Sequence, residues 1–139
     1  MQVKPTSLLG PVPVPTPDDR EYWEGCARDE LILQRCAECK AYRHLPRPMC
    51  PKCRSTRGEW VRSAGMGTIH SYTIVHNLVG TDLGDVVPYD IVLVEMDEGP
   101  RIISNMVDML PDEVGIGMRV RVTFREVAPG VKLPKFEKA

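Results

Sequence analysis

From about residue 60 onward the apolar positions recur every second residue. Met118, Val120, Val122 and Phe124 alternate with Arg119, Arg121, Thr123 and Arg125, the pattern of a strand with one face buried and one solvated. Residues 68–76, 89–96 and 101–107 are rich in Ile, Val, Tyr and Thr and are predicted to be further strands. Asp97-Glu98-Gly99-Pro100 is turn chemistry that joins two of them as a hairpin. Gly115-Ile116-Gly117 marks the entry to the alternating strand. No helical period is long enough for crossovers, so residues 63–139 are expected to form a small antiparallel barrel and the chain to be mainly β.

Upstream the pattern differs. Thr16-Pro17-Asp18-Asp19 reads as a helix start, with a capping threonine, a proline at the first helical position and acids at the positive dipole end. The helix is expected over about residues 17–30, with Tyr22, Trp23, Cys26 and Ala27 on one stripe that must pack on something. Leu31-Ile32-Leu33 then reads as a short strand. Before the helix, residues 1–17 hold Pro5, Pro11, Pro13, Pro15 and Pro17. They are read as an extended, polyproline-like arm without a core of its own.

Composition narrows the class. The chain has 139 residues, 42% of them apolar and 27% charged, with a formal net charge of −1. That is a globular composition, too short for a large enzyme scaffold and without a run able to span a bilayer. No signal-peptide core precedes the helix, and a cytoplasmic location is expected. The near-zero charge hides an asymmetry. Residues 35–62 carry eight bases and two acids, whereas residues 63–139 carry seven bases and eleven acids. The boundary near Ser63 separates a helix-and-ribbon unit, residues 18–62, from the barrel.

The chemistry lies in the cysteines. Cys36-Ala-Glu-Cys39 and Cys50-Pro-Lys-Cys53 form two Cys-x-x-Cys pairs ten residues apart. Disulfides and redox pairs are the alternatives. A cytosolic chain disfavours the first, and the lack of a βαβ pattern disfavours the second. The spacing therefore points to one structural zinc held by Cys36, Cys39, Cys50 and Cys53 in a closed four-sulfur site. With no open position, zinc-hydroxide chemistry is not expected there. Cys26, on the helix stripe, reads as a buried inert thiol, and His44, His70 and His76 as ordinary surface or strand histidines.

Helix with tryptophan, four-cysteine ribbon, then barrel: in this order the chain resembles the zinc-ribbon plus OB-fold acyl-CoA-associated proteins, the "domain of unknown function 35". The matching stretches are Tyr22-Trp23, LILQRCAEC at 31–39, LPRPMCPKC at 45–53 and GMGTIHSYTIV at 65–75. They continue with PYDIV at 88–92, DEGPRIIS at 97–104, GMRVRVTF at 117–124 and LPKF at 133–136. One departure is that Lys40 and Arg54 stand where a glycine commonly follows each cysteine pair.

The resemblance implies a rubredoxin-like zinc ribbon followed by an OB-fold barrel, in a non-catalytic subunit that works beside a thiolase-superfamily enzyme. The substrate of that complex would be a coenzyme A thioester, undergoing carbon–carbon bond cleavage or formation, and the assembly a hetero-oligomer with no membrane attachment. Within such a subunit Arg43, Arg47 and Arg54 are candidates for the phosphates, and Trp23, Tyr72 and Tyr89 for an apolar path. The competing reading is a single-stranded nucleic-acid binder. It needs a positive groove with stacking aromatics, whereas this barrel is acidic and poor in them.

Overall fold

The computed structural model describes residues 11–77 and 87–139. Most of the proline arm and the segment between two strands of the barrel lie outside the described residues. One helix, α1 (Arg20–Ala27), precedes three ribbon strands: β1 (Ile32–Cys36), β2 (Tyr42–Arg43) and β3 (Gly58–Arg62). Five barrel strands follow: β4 (Met66–Val75), β5 (Tyr89–Met96), β6 (Arg101–Ser104), β7 (Arg119–Ala128) and β8 (Val131–Lys138). The ribbon is an antiparallel sheet in the order β2-β1-β3, and the second sheet runs β6-β5-β4-β7-β8. Its two ends approach where Met106 bridges Phe136 in parallel and the Val107 amide donates to the Phe136 carbonyl at 2.8 Å. The barrel is thus nearly closed.

The expected strands are present with shifted ends. The run expected over 101–107 stops at Ser104, because the next residues leave β5 to make the closing bridge. β7 runs on to Ala128 and pairs with β8, a strand not expected from the sequence. The predicted hairpin at Asp97–Pro100 joins β5 and β6.

The helix is shorter than its apolar stripe suggests. Thr16 does not cap it. The Thr16 amide and hydroxyl donate to the Asp19 carboxylate at 2.6 and 3.0 Å, closing a preceding turn, and Asp19 is itself the N-cap. At the other end Asp29 takes a left-handed φ of 60°. The Asp29 amide donates to the Cys26 carbonyl and the Glu30 amide to the Gly25 carbonyl, the paired bonds of a Schellman stop. Gly25 lets β1 come close. A Cβ there would sit 2.5 Å from Ile32 Cγ1.

Of the helix stripe, Tyr22 and Cys26 are buried, Trp23 is half-buried and Ala27 is exposed. Tyr22, Cys26, Leu31 and Leu33 share one core with Ile69, Val92, Val94, Met106, Val120 and Phe136 of the barrel. Helix, ribbon and barrel therefore bury one continuous apolar cluster. Their covalent junction is tied as well. Ser63 Oγ donates to the Glu98 carboxylate at 2.9 Å, and the Ala64 amide does the same at 2.9 Å. The Ser63 amide bonds the Leu31 carbonyl at 2.8 Å.

Shared packing of this kind predicts one cooperative unfolding transition for the described fold. Glu98→Ala removes the acceptor of the junction and is expected to cost about 1–3 kcal/mol in urea denaturation. Far-ultraviolet and tryptophan signals should shift together. Separate transitions for the two signals would mean that ribbon and barrel fold independently.

Candidate metal centre and apolar cleft

The two cysteine pairs adopt one backbone design used twice. In the first, the Cys36 amide donates to the Ala41 carbonyl and the Lys40 amide to the Cys36 carbonyl, at 2.9 and 3.1 Å. In the second, Cys50 bonds Ser55 and Arg54 bonds Cys50 in the same way, both at 2.9 Å. Lys40 and Arg54 hold the left-handed positions, with φ of 64° and 63°. These are the two places where glycine is commonly found. The turns form without it, against a strain of roughly 1–2 kcal/mol at each.

The knuckles bring the sulfurs of Cys36, Cys39, Cys50 and Cys53 within 4.8 Å of one another. Cys36 Sγ lies 3.5 Å from Cys53 Sγ, and Cys39 Sγ lies 3.6 Å from Cys50 Sγ. Sulfurs at about 2.3 Å from a shared tetrahedral ion stand about 3.8 Å apart, so the spacing suits an ion and is far too long for disulfides. The Cys39 amide donates to Cys36 Sγ at 3.4 Å. Chiefly through that bond the Cys36 thiol is pulled down to about 6. The Cys53 amide lowers Cys50 likewise. At Cys36 and Cys50 the backbone thus favours the thiolate, the form a metal needs, whereas neighbouring sulfurs push Cys53 up to about 11.

Several of the surrounding bases are already engaged. Arg35 and Lys40 pair with Glu59 at 2.7 and 3.3 Å, and Arg57 pairs with Glu38. Arg43, a sequence candidate for phosphate contact, is only 7% exposed. Its Nε donates to Gln34 Oε1 at 2.7 Å and its Nη2 to the Arg47 carbonyl at 3.0 Å. It braces the loop after β2 rather than facing solvent. Arg47 and Arg54 are exposed and, among the described residues, outside the ion pairs.

That loop forms one wall of a cleft of about 420 Å³. His44, Leu45 and Pro46 supply the ribbon side, and Tyr22 and Trp23 the helix side. The barrel contributes Tyr89 and Ile91 of β5, Ile102 and Ile103 of β6, and Leu133, Pro134 and Lys135 of β8. Of the aromatic candidates Trp23 and Tyr89 meet here. Tyr72 does not. It lies in a shallower hollow of about 200 Å³, which shares Ile91 and Ile103 with the cleft. Sequence reasoning missed His44 and Lys135, although the stretches LPRPMC and LPKF lie beside or around them. His44 is not an ordinary surface histidine. Its ring packs 5.2 Å from that of Tyr22, and burial holds its pKa down at about 4.

Comparison with known proteins agrees with this architecture. Residues 23–58 match the family described as "ChsH2, rubredoxin-like zinc ribbon domain" and residues 60–125 that described as "ChsH2, C-terminal OB-fold domain". A zinc ribbon followed by an OB-fold barrel defines the class. The chain belongs to the DUF35 family. It is 38% identical over 98 residues to a "DUF35 domain-containing scaffold protein" of Methanocaldococcus jannaschii, covering 70% of this chain and 69% of that one. It is 38% identical over 136 residues to a "Probable enoyl-CoA hydratase alpha subunit" of Thermomonospora curvata. That match covers 98% of this chain and 42% of the relative, so this chain spans less than half of that relative's length. Among solved structures it is similar to a chain of the "Ltp2-ChsH2(DUF35) aldolase", with a TM-score of 0.79 and 36% identity. There 91% of this chain and 98% of the other are covered.

The half-buried His44 is expected to make the fold acid-sensitive. A pKa lowered from 6.5 to about 4 means that the unfolded chain takes up a proton before the native one does. The stability is present above about pH 6.5 and is lost as pH falls towards 4, by up to about 3 kcal/mol. Urea midpoints measured between pH 7 and 4.5 should fall less steeply in His44→Gln than in the parent. Parallel slopes would assign the acid sensitivity to other groups.

Proposed function

We propose that this chain is a non-catalytic, zinc-bearing accessory subunit of an acyl-CoA enzyme complex. On this reading the cleft beside the ribbon meets the acyl-CoA. The observation that carries it is the near-complete match to the DUF35 chain of an aldolase, alongside relatives called scaffold protein and hydratase alpha subunit. The partner is a thiolase-type enzyme in a hetero-oligomer, and it supplies the groups that make or break the carbon–carbon bond next to the thioester carbonyl.

The chemistry of the described residues supports a role without bond-making. Acyl transfer needs an activated nucleophile beside a base. The thiol outside the cluster, Cys26, is fully buried, and burial pushes its pKa up to about 12, so it stays protonated and inert. What this chain offers is an apolar cleft that excludes water and orients a long flexible thioester. Arg47 lies next to Pro46 of the cleft wall and Arg54 on the second knuckle. Both guanidiniums are unengaged by acids among the described residues and suit phosphates. Holding substrate in one orientation raises the population that reacts without adding a catalytic group.

Zinc, when bound by Cys36, Cys39, Cys50 and Cys53, neutralises thiolate charge and cross-links the two knuckles. Four sulfurs leave no position for a reacting water. Metal analysis is expected to return one zinc per chain. Cys39→Ser should lose metal and unfold the ribbon, since such sites supply roughly 10–16 kcal/mol. A variant that keeps both full zinc and its thermal midpoint contradicts the assignment.

Reconstitution tests the accessory role. With its thiolase-type partner, this chain should lower KM for acyl-CoA or be required for turnover, and alone it should give none. A partner with unchanged KM and acyl specificity in its absence removes the proposal. So does turnover by the isolated chain.

A further inference from the structure

A charged side chain is buried against the cleft. Lys135 is 5% exposed, and its strand neighbours Pro134 and Phe136 are buried as well. Three consecutive buried positions mean that both faces of β8 are covered at this point. The barrel interior takes Phe136, and Lys135 contributes to the cleft lining.

Lys135 Nζ donates to Asn105 Oδ1 at 2.7 Å, and the Asn105 side-chain amide in turn donates to the Asp90 carbonyl. Asp90 is 1% exposed. Its Oδ2 accepts the Met106 amide at 2.7 Å, while Oδ1 is buried without a partner among the described residues. Burial lowers the Lys135 ammonium from the usual lysine range and raises the Asp90 carboxyl, and the two attract each other without forming an ion pair. An ammonium has three donors. A single one is used among the described residues. Keeping such a group under apolar walls is costly for folding alone, where a methionine of similar length would pack without the penalty.

We infer that Lys135, set by Asn105, is the oxygen-recognising end of the cleft, taking the carbonyl oxygen of a keto-bearing acyl chain whose hydrocarbon lies against Trp23, Ile91 and Ile103. This rests on the acyl-CoA reading above and adds the acyl class to it. Asp90 is already a buried carboxyl next to this group, so a neutral acceptor avoids burying a second one. A hydrogen bond from a charged donor discriminates strongly against an analogue that lacks the oxygen, because the donor is then left unmade.

The test is titration calorimetry on the full chain. Hexanoyl-CoA is compared with its keto analogues carrying the extra carbonyl at the third or the fifth carbon. At least one keto form should bind about tenfold tighter than hexanoyl-CoA. Lys135→Met should erase that preference, so that keto and hexanoyl forms bind the variant equally. Equal affinities in the parent protein overturn the inference even if the variant fails to fold. A preference retained in Lys135→Met, or an equal loss for both ligands, overturns it as well. Free methyl pentyl ketone, followed by NMR through the Ile91 and Ile103 methyls, gives an arm without CoA. Lys135-dependent shifts there with no thioester binding would remove the acyl-CoA reading and leave the Lys135 assignment standing. Tight hexanoyl-CoA binding with no keto preference would do the reverse.

Discussion

Tyr22 sits where the three parts of the molecule meet. Its ring stacks edge-on against Trp23 at 4.9 Å and tilts against His44 at 5.2 Å, so helix and ribbon loop close over one another. Its burial places it in the same apolar cluster as Leu33 of the ribbon and Phe136 of the barrel. A helix of eight residues cannot persist in water by itself, and a ribbon of three short strands has too little apolar surface to fold alone. Both borrow the barrel. The cleft is the space left over where that borrowing is incomplete, which is why its walls come from all three.

The cysteine pairs were legible in the sequence because metal geometry demands a spacing that no other use of cysteine imitates as well. The alternating strands were legible for a similar reason, since a half-buried strand has to write its burial into every second residue. β8 fails that rule. Pro134 removes a backbone donor, which is tolerated because β8 ends the sheet order. Lys135 puts a charge at a buried position, and with Lys132 and Lys138 nearby the strand reads as polar chain. The helix failed in the opposite sense. Thr16-Pro17 carries a start signal, but the Asp19 carboxylate is captured by Thr16 and the first turn closes without joining the helix. Arg43 and His44 look like surface residues in sequence. Arg43 is buried and His44 half-buried, because Gln34 and Tyr22, distant in the chain, pack against them.

Three polar residues are withdrawn from water at or near the cleft, and they differ in how completely they are satisfied. Arg43 has partners for Nε and Nη2, and its Nη1 is buried without one among the described residues. Its work is to tie the loop carbonyl of Arg47 to Gln34, which also accepts from the Arg47 amide at 2.7 Å. A loop fixed at both its carbonyl and its amide presents Leu45 and Pro46 to the cleft at a fixed height. Asp90 and Lys135 are satisfied in part. Incomplete satisfaction is common to all three, and what sets Lys135 apart is that it lines the concave, apolar cleft, where a ligand could complete it.

These two features are mechanically connected. The loop that supplies His44, Leu45 and Pro46 runs between the first knuckle and the second, so its ends are set by Cys39 and Cys50, whose sulfurs stand 3.6 Å apart. An ion held by these sulfurs would fix the span of the loop and keep it against α1. Loss of the ion frees both ends at once. The ligand-facing wall would then lose its register even though no metal ligand touches the cleft. A structural metal in this position would therefore be coupled to the shape of the cleft through backbone closure alone. The coupling is conformational, with a magnitude limited by the free energy of ordering some ten residues of loop. It accounts for a ribbon placed before the barrel. Without the ribbon, β5, β6 and β8 would present an open face instead of one side of a cleft.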